Sequence, residues 1–191
     1  DRFSENEDYF KTYQQLGGGR LKREKVNGIV QNWFEQMMAD YSNPAFFNAF
    51  PKARHYIEKV CKNQNLPKRE KDIIEEIIAV HESGTIQEPY ISIIKQLKES
   101  HRIGLVSNIW SEPHYFTNAL KKVHLYDLFE VIVFSSDYGI IKPSKDIFEI
   151  ALRHFECPQS KAVYIGDSLN CDVRGGNNAG IATVWISYGR A

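Results

Sequence analysis

The chain has 191 residues, enough for one domain with an insertion or for two small ones. Apolar residues make up 42% and charged residues 25%, and 24 basic side chains are balanced by 24 acidic ones, which excludes a global field that would draw in nucleic acid or an acidic membrane. No apolar run approaches the ~20 residues of a membrane helix, and no basic-then-apolar leader opens the sequence. The three cysteines, Cys61, Cys157 and Cys171, are odd in number and lack metal-ligand spacing, which points to a reducing compartment, the cytoplasm.

In chain order, nearly everything before Gly84 reads as helix. In REKVNGIVQNWFEQMMADY the residues Val26, Ile29, Val30, Trp33, Phe34, Met37 and Met38 fall at helical spacing. KREKDIIEEIIAVHES repeats the pattern with Ile73, Ile74, Ile77 and Ile78, and Pro44, Pro51 and Pro67 punctuate the connections. Gly17-Gly18-Gly19 reads as a flexible joint. After Gly84 helices alternate with short apolar strands. Helices are expected near Tyr90–Lys98, Glu112–Lys122, Lys145–Phe155 and Leu169–Asn178, leading respectively to the strands RIGLVS, VIVFSS, AVYIGD and ATVWIS. Such alternation predicts an α/β fold with a parallel sheet, and solidly apolar strands predict helices over both of its faces.

In sheets of this kind ligands bind beyond the carboxyl ends of the strands. Those ends carry Ser107-Asn108, then Lys142-Pro143, then Gly166-Asp167-Ser168 with Asp172 following. Taken singly, each has an ordinary reading. Serine and asparagine cap helices, a lysine before proline fits any loop, and an Asp-Ser pair suits a helix start. Gly175, Gly176 and Gly180 fit close helix packing and a turn. Capping does not account for all of them in this order at successive strand ends. A hydroxyl, an ammonium and two carboxylates are expected to converge on one rim.

The order Ser107-Asn108, Lys142-Pro143 and GDSLNCD resembles the second, third and fourth motifs of the haloacid dehalogenase-like (HAD) hydrolase superfamily, and the likeness runs from about Pro89 to Ser187. It implies a Rossmann-like parallel sheet with helices on both faces, the HAD core, at residues 87–191, and an all-helical cap at residues 1–86 that opens and closes over the site. It also implies a magnesium-dependent phosphatase working through a phospho-aspartate. By the same resemblance Asp167 is a direct Mg2+ ligand, and Asp172 holds a metal-bound water or the lysine. Lys142 pairs with the attacking carboxylate and the phosphoryl oxygens. Ser107 donates its hydroxyl to phosphate beside the Asn108 backbone N–H. These types suit the task, because magnesium takes oxygen ligands and a phosphoryl dianion needs positive charge and donors.

The family's first motif, an aspartate two residues before a second one at the end of an apolar strand, has no counterpart in the opening DRFSENEDYF. No apolar strand precedes Asp1 or Asp8. The nucleophile is therefore expected upstream of Asp1, the sheet is expected to lack its central strand, and this chain alone is expected to be inactive. A haloacid dehalogenase and a non-catalytic module of the same fold are the alternatives, and Gly166-Asp167 argues against the dehalogenase. The expected partner is a small phosphate ester, with no nucleic acid or membrane, and the expected state is a monomer or homodimer. The cap aromatics, including Tyr9, Tyr13, Trp33, Phe34, Phe46, Phe47 and Phe50, read mostly as core. Arg20, Lys22 and Arg23 read as a solvated helix start, and Trp110 and His114 are candidate pocket residues.

Overall fold

The computed structural model describes Phe3 and residues 7–189. Four helices come first: α1 (Tyr9–Gln15), α2 (Arg23–Tyr41), α3 (Ala53–Cys61) and α4 (Lys68–Ser83). The Asp8 side chain caps α1 by accepting from Lys11 N at 3.0 Å. On α2 the buried residues Val26, Ile29, Val30, Trp33 and Met37 form one stripe. On α4 the stripe is Ile73, Ile74, Ile77 and Ile78, with Glu70 and Glu82 at its two ends. The stripes meet in one apolar cluster with Tyr13, Tyr56 and Ile57, to which Trp110 and Ile141 are added from farther along the chain.

The Gly17-Gly18-Gly19 segment forms a turn. Gly17 has φ +81, and a Cβ on Gly18 would overlap the Tyr13 ring. The Tyr13 hydroxyl donates to Glu70 Oε2 at 2.6 Å and accepts from Arg20 N and Leu21 N at 3.0 and 2.9 Å. The segment thus anchors a buried phenol and a buried acid.

The second half alternates as expected: α5 (Glu88–Lys98), β1 (Gly104–Ser107), α6 (Pro113–Lys122), β2 (Val131–Phe134), α7 (Ser135–Tyr138), α8 (Lys145–Phe155), β3 (Val163–Gly166), α9 (Arg174–Asn178) and β4 (Ala182–Trp185). Helix α8 starts where Ser144 Oγ accepts from Asp146 N, and α5 and α6 begin with Pro89 and Pro113 in their first turns. The strands form two separate parallel pairs, β1 with β2 and β3 with β4. Among the described residues β1 and β3 do not pair with each other.

One face of β3 and β4 is partly exposed among the described residues. Ile165 pairs in register with Val184, and on that face Val163 (61%), Ile165 (48%) and Val184 (48%) are exposed.

Burial also sets the titration of three tyrosines in the helical cluster. Desolvation, assisted by Glu7, pushes Tyr9 up to about 12. Desolvation with a bond to Glu70 raises Tyr13, and desolvation with a bond to Asp40 raises Tyr56. Above the unfolded tyrosine pKa of about 10, the native state holds protons that the unfolded chain has lost, so stability must fall as pH rises. The thermal midpoint should stay level up to about pH 9.5 and drop from about pH 10 upward. In an ultraviolet titration part of the tyrosine signal should appear only on unfolding. Ionisation of all ten tyrosines together near pH 10 in folded protein would contradict this.

Candidate active site at the strand ends

Strand β1 ends at Ser107-Asn108, and the loop that follows is held from two sides. Ser135, buried at the start of α7, accepts from Ile109 N at 2.9 Å and donates to Ile109 O at 2.8 Å. Glu82, fully buried at the end of α4, accepts from Trp110 N at 2.6 Å and Ser111 N at 3.0 Å. Backbone bonds add to the seam: Ala53 N donates to Trp110 O, Phe50 N to Gly139 O and Ile141 N to Phe47 O. The helical segment and the loops beyond β1 and β2 are therefore bonded along one line.

The Asn108 side chain reaches the backbone of Lys142. Its Oδ1 accepts from Lys142 N at 2.8 Å and its Nδ2 donates to Lys142 O at 3.2 Å. Lys142 Nζ has three acceptors: Asp172 Oδ1 at 2.6 Å, the Tyr164 hydroxyl at 3.0 Å and Val106 O at 3.4 Å. Burial alone would lower the Lys142 pKa. Tyr164 and Asp172 outweigh it, so the ammonium titrates above its usual range and stays charged at neutral pH. Tyr164 is raised by its own burial, against the pull of the Lys142 charge.

Asp172 is aimed by local chain geometry. Ser168 Oγ accepts from Cys171 N at 3.1 Å and starts a single turn of π-helix, Leu169–Val173. That turn brings Asp172 back over Gly166, where a Cβ would overlap its carboxylate. Ser168 N donates to Asp172 Oδ2 at 2.9 Å, so both oxygens are engaged.

Of the residues singled out by sequence, Asn108, Lys142 and Asp172 are drawn into one bonded network. Ser107 stands at the end of β1, paired in register with Phe134, and its hydroxyl makes no hydrogen bond among the described residues. Asp167 is exposed and its carboxylate is likewise unengaged there, while its carbonyl accepts from Trp185 Nε1 at 3.1 Å. Among the described residues no group of three or more His, Cys, Asp and Glu side chains is positioned as a metal site. Trp110 is a core residue, ringed by Trp33, Phe34 and Tyr41, and His114 stacks on Tyr115.

Sequence reasoning missed Tyr41, Glu82, Ser135 and Tyr164. Glu82 was detectable, since it continues the Ile74–Ile78 stripe one turn on and is therefore an acid on a buried face. Tyr164, a phenol in the strand that ends in Gly166-Asp167, was a weaker signal.

Comparison with known proteins adds to this geometry. A family model described as haloacid dehalogenase-like hydrolase matches residues 12–186. A pyrimidine 5'-nucleotidase of Escherichia coli is 33% identical over 98 residues, covering 51% of this chain and 43% of that protein. A glyceraldehyde 3-phosphate phosphatase of Pyrococcus abyssi is 26% identical over 141 residues, covering 71% of this chain and 58% of its own length. The chain thus spans about half the length of these relatives. Among solved structures, a 2-haloacid dehalogenase of Pseudomonas syringae pv. Tomato superposes with TM-score 0.65 at 19% identity, covering 96% of this chain and 78% of that one. An HAD phosphatase of Thermococcus onnurineus gives 0.59 at 21%, covering 96% and 77%. At such identities the structural likeness speaks for the fold.

The close approach at Gly166 yields a test of the network. Gly166→Ala should displace Asp172 from Lys142 and cost about 1–3 kcal/mol in urea denaturation. Asp172→Asn, which leaves the buried ammonium without its counter-charge, should cost about 3–5 kcal/mol. Denaturation midpoints matching the unaltered chain would show that the pair carries no such weight.

Proposed function

The chain belongs to the haloacid dehalogenase-like hydrolases, and from that premise we propose that it supplies the phosphate-holding rim and helical cap of a magnesium-dependent phosphatase acting on a small phosphate ester. The buried Lys142–Asp172 pair beside Ser107 and Asn108 carries this reading. It puts a charge-locked ammonium next to unengaged donors at the carboxyl end of a parallel sheet, a setting suited to a phosphoryl dianion. Residues 1–86 act as the cap and residues 87–191 as the core in this proposal. The separate apolar clusters of the second half, whose members all lie at Ile86 or beyond, support that division.

The residues accept magnesium in a limited sense. Asp167 offers one exposed, unengaged carboxylate, and magnesium typically takes one or two carboxylates together with water and phosphate oxygens. Asp172 has both oxygens engaged, so in this reading it holds the lysine and Asp167 is the metal ligand. The metal supplies neutralisation of charge on the phosphoryl oxygens. Lys142 supplies positive charge beside the phosphoryl group, and the Ser107 hydroxyl donates to it.

The nucleophile is assigned to a carboxylate on a strand that lies between β1 and β3, outside the described residues. Two observations support this. The pairs β1–β2 and β3–β4 do not pair with each other. In addition, the Val106 carbonyl of β1 is met by the side chains of Lys142 and of Tyr164, which reaches across from β3. A dehalogenase would share the fold, but the relatives matched in sequence here are described as a pyrimidine 5'-nucleotidase and a glyceraldehyde 3-phosphate phosphatase. Among the described residues no helix is long and apolar enough to cross a membrane. The free cysteines support the cytoplasm as the compartment. The balanced charge supports a partner held by a local site rather than nucleic acid or a membrane surface. We place the oligomeric state at monomer or homodimer.

The test is turnover of an aryl phosphate, then of an ester panel including a pyrimidine nucleotide and a triose phosphate, by the full-length protein with and without magnesium. Activity should require the metal, and Asp167→Asn should lower the rate at least ~10²-fold. The 191-residue chain alone should be inactive. Metal-independent turnover would refute the phosphatase assignment, and equal turnover by the two forms would place the nucleophile within this chain. Absence of turnover by the full-length protein would favour a binding module.

A further inference from the structure

Tyr41 is the last residue of α2, far in sequence from every motif of the rim, yet it touches both chain segments that hold Lys142. Its hydroxyl accepts from Asn108 Nδ2 at 2.7 Å and lies 3.4 Å from Cys171 Sγ. Asn108 holds the Lys142 backbone through two hydrogen bonds. Cys171 precedes Asp172, which holds the Lys142 ammonium. The Tyr41 ring is fixed edge-on against Phe50 and Trp110, with centroids 5.7 and 5.9 Å away and interplanar angles of 88° and 87°. The hydroxyl is thus presented by packing.

The hydrogen-bond inventory of Asn108 leaves little slack. Lys142 N–H on Oδ1 and Lys142 O on Nδ2 determine which end of the amide is which, and the second Nδ2 proton goes to Tyr41. The bond to Tyr41 is the shorter of the two that Nδ2 makes. Loss of the hydroxyl would leave that proton unpaired in a part-buried site and free the amide to move with the Lys142 backbone.

We infer that Tyr41 is a positioning residue of the phosphate site, tying the seating of the helical segment to the placement of Lys142 through Asn108 and the Cys171-Asp172 turn. It touches no reacting atom. Its effect is to hold the cation ready when the helical segment is seated, so it acts on phosphate capture in ground and transition states alike. The inference rests on the reading of the rim as a phosphate site.

The experiment uses the full-length protein, its Tyr41→Phe variant, and Tyr138→Phe as the control for losing a hydroxyl at an exposed position. Tyr41→Phe should raise KM for the ester about 5- to 20-fold and leave kcat within about twofold. Inhibition by inorganic phosphate should weaken by the same factor as KM rises. Peptide mapping after iodoacetamide treatment gives a second readout that needs no turnover. Cys171 should be alkylated faster in Tyr41→Phe, and inorganic phosphate should slow its alkylation in the unaltered protein but not in the variant. An active full-length protein whose Tyr41→Phe form matches Tyr138→Phe in KM, phosphate inhibition and Cys171 reactivity would overturn the inference and leave the phosphatase reading intact. A full-length protein that turns over no ester and shows no phosphate protection of Cys171 would sink the phosphatase reading, and this inference with it.

Discussion

The contact between Lys142 Nζ and Asp172 Oδ1, at 2.6 Å with side chains only 11% and 6% exposed, is the interaction around which the second half of the molecule is arranged. Taking two charges out of water costs several kcal/mol per ion, and the attraction between them offsets this only when the remaining donors and acceptors are satisfied. Here they are. Tyr164 and Val106 O take the other ammonium protons, and Ser168 N caps the second carboxylate oxygen. The sequence GDSLNCD follows from this requirement. Gly166 leaves room, Ser168 starts the turn, and Asp172 stands where one turn returns the chain to the strand.

The helical segment completes that arrangement. Glu82 puts a fully buried carboxylate on the N–H groups of Trp110 and Ser111, so the loop carrying Asn108 is shaped from outside the sheet. Trp110 returns the contact by inserting its ring among Trp33, Phe34 and Tyr41. A loop held this way does not adjust independently of its neighbours, because densely packed aromatic contacts tolerate few alternative arrangements. Site geometry and the seating of the helices are therefore mechanically linked.

Much of this was legible from sequence, and the parts that were not share a cause. The stretch of α2 follows from apolar spacing, and the starts of α4 and α8 also from Pro67 and Ser144, all local signals. Lys142 and Asp172 stood out because strand ends in a parallel sheet face one rim, which turns order along the chain into proximity. Tyr41 and Glu82 lie 67 and 28 residues from the groups they bind; the stripe on α4 marks Glu82 as buried, but no local pattern names the distant partner of either side chain. The glycine triplet has a packing role that its composition does not announce, since the Tyr13 ring lies where a Cβ on Gly18 would stand.

The indole of Trp185 bonds to the carbonyl of Asp167, the exposed residue that follows β3. The other two tryptophans, Trp33 and Trp110, sit with ring centroids 6.0 Å apart inside the aromatic cluster. The molecule therefore carries its own optical probe. Trp33 and Trp110 lie in an apolar cluster, whereas Trp185 is 37% exposed and bonded to the residue that follows β3. The three indoles therefore report two different surroundings, so the intrinsic emission of the chain carries a buried component and a solvent-facing one without a label.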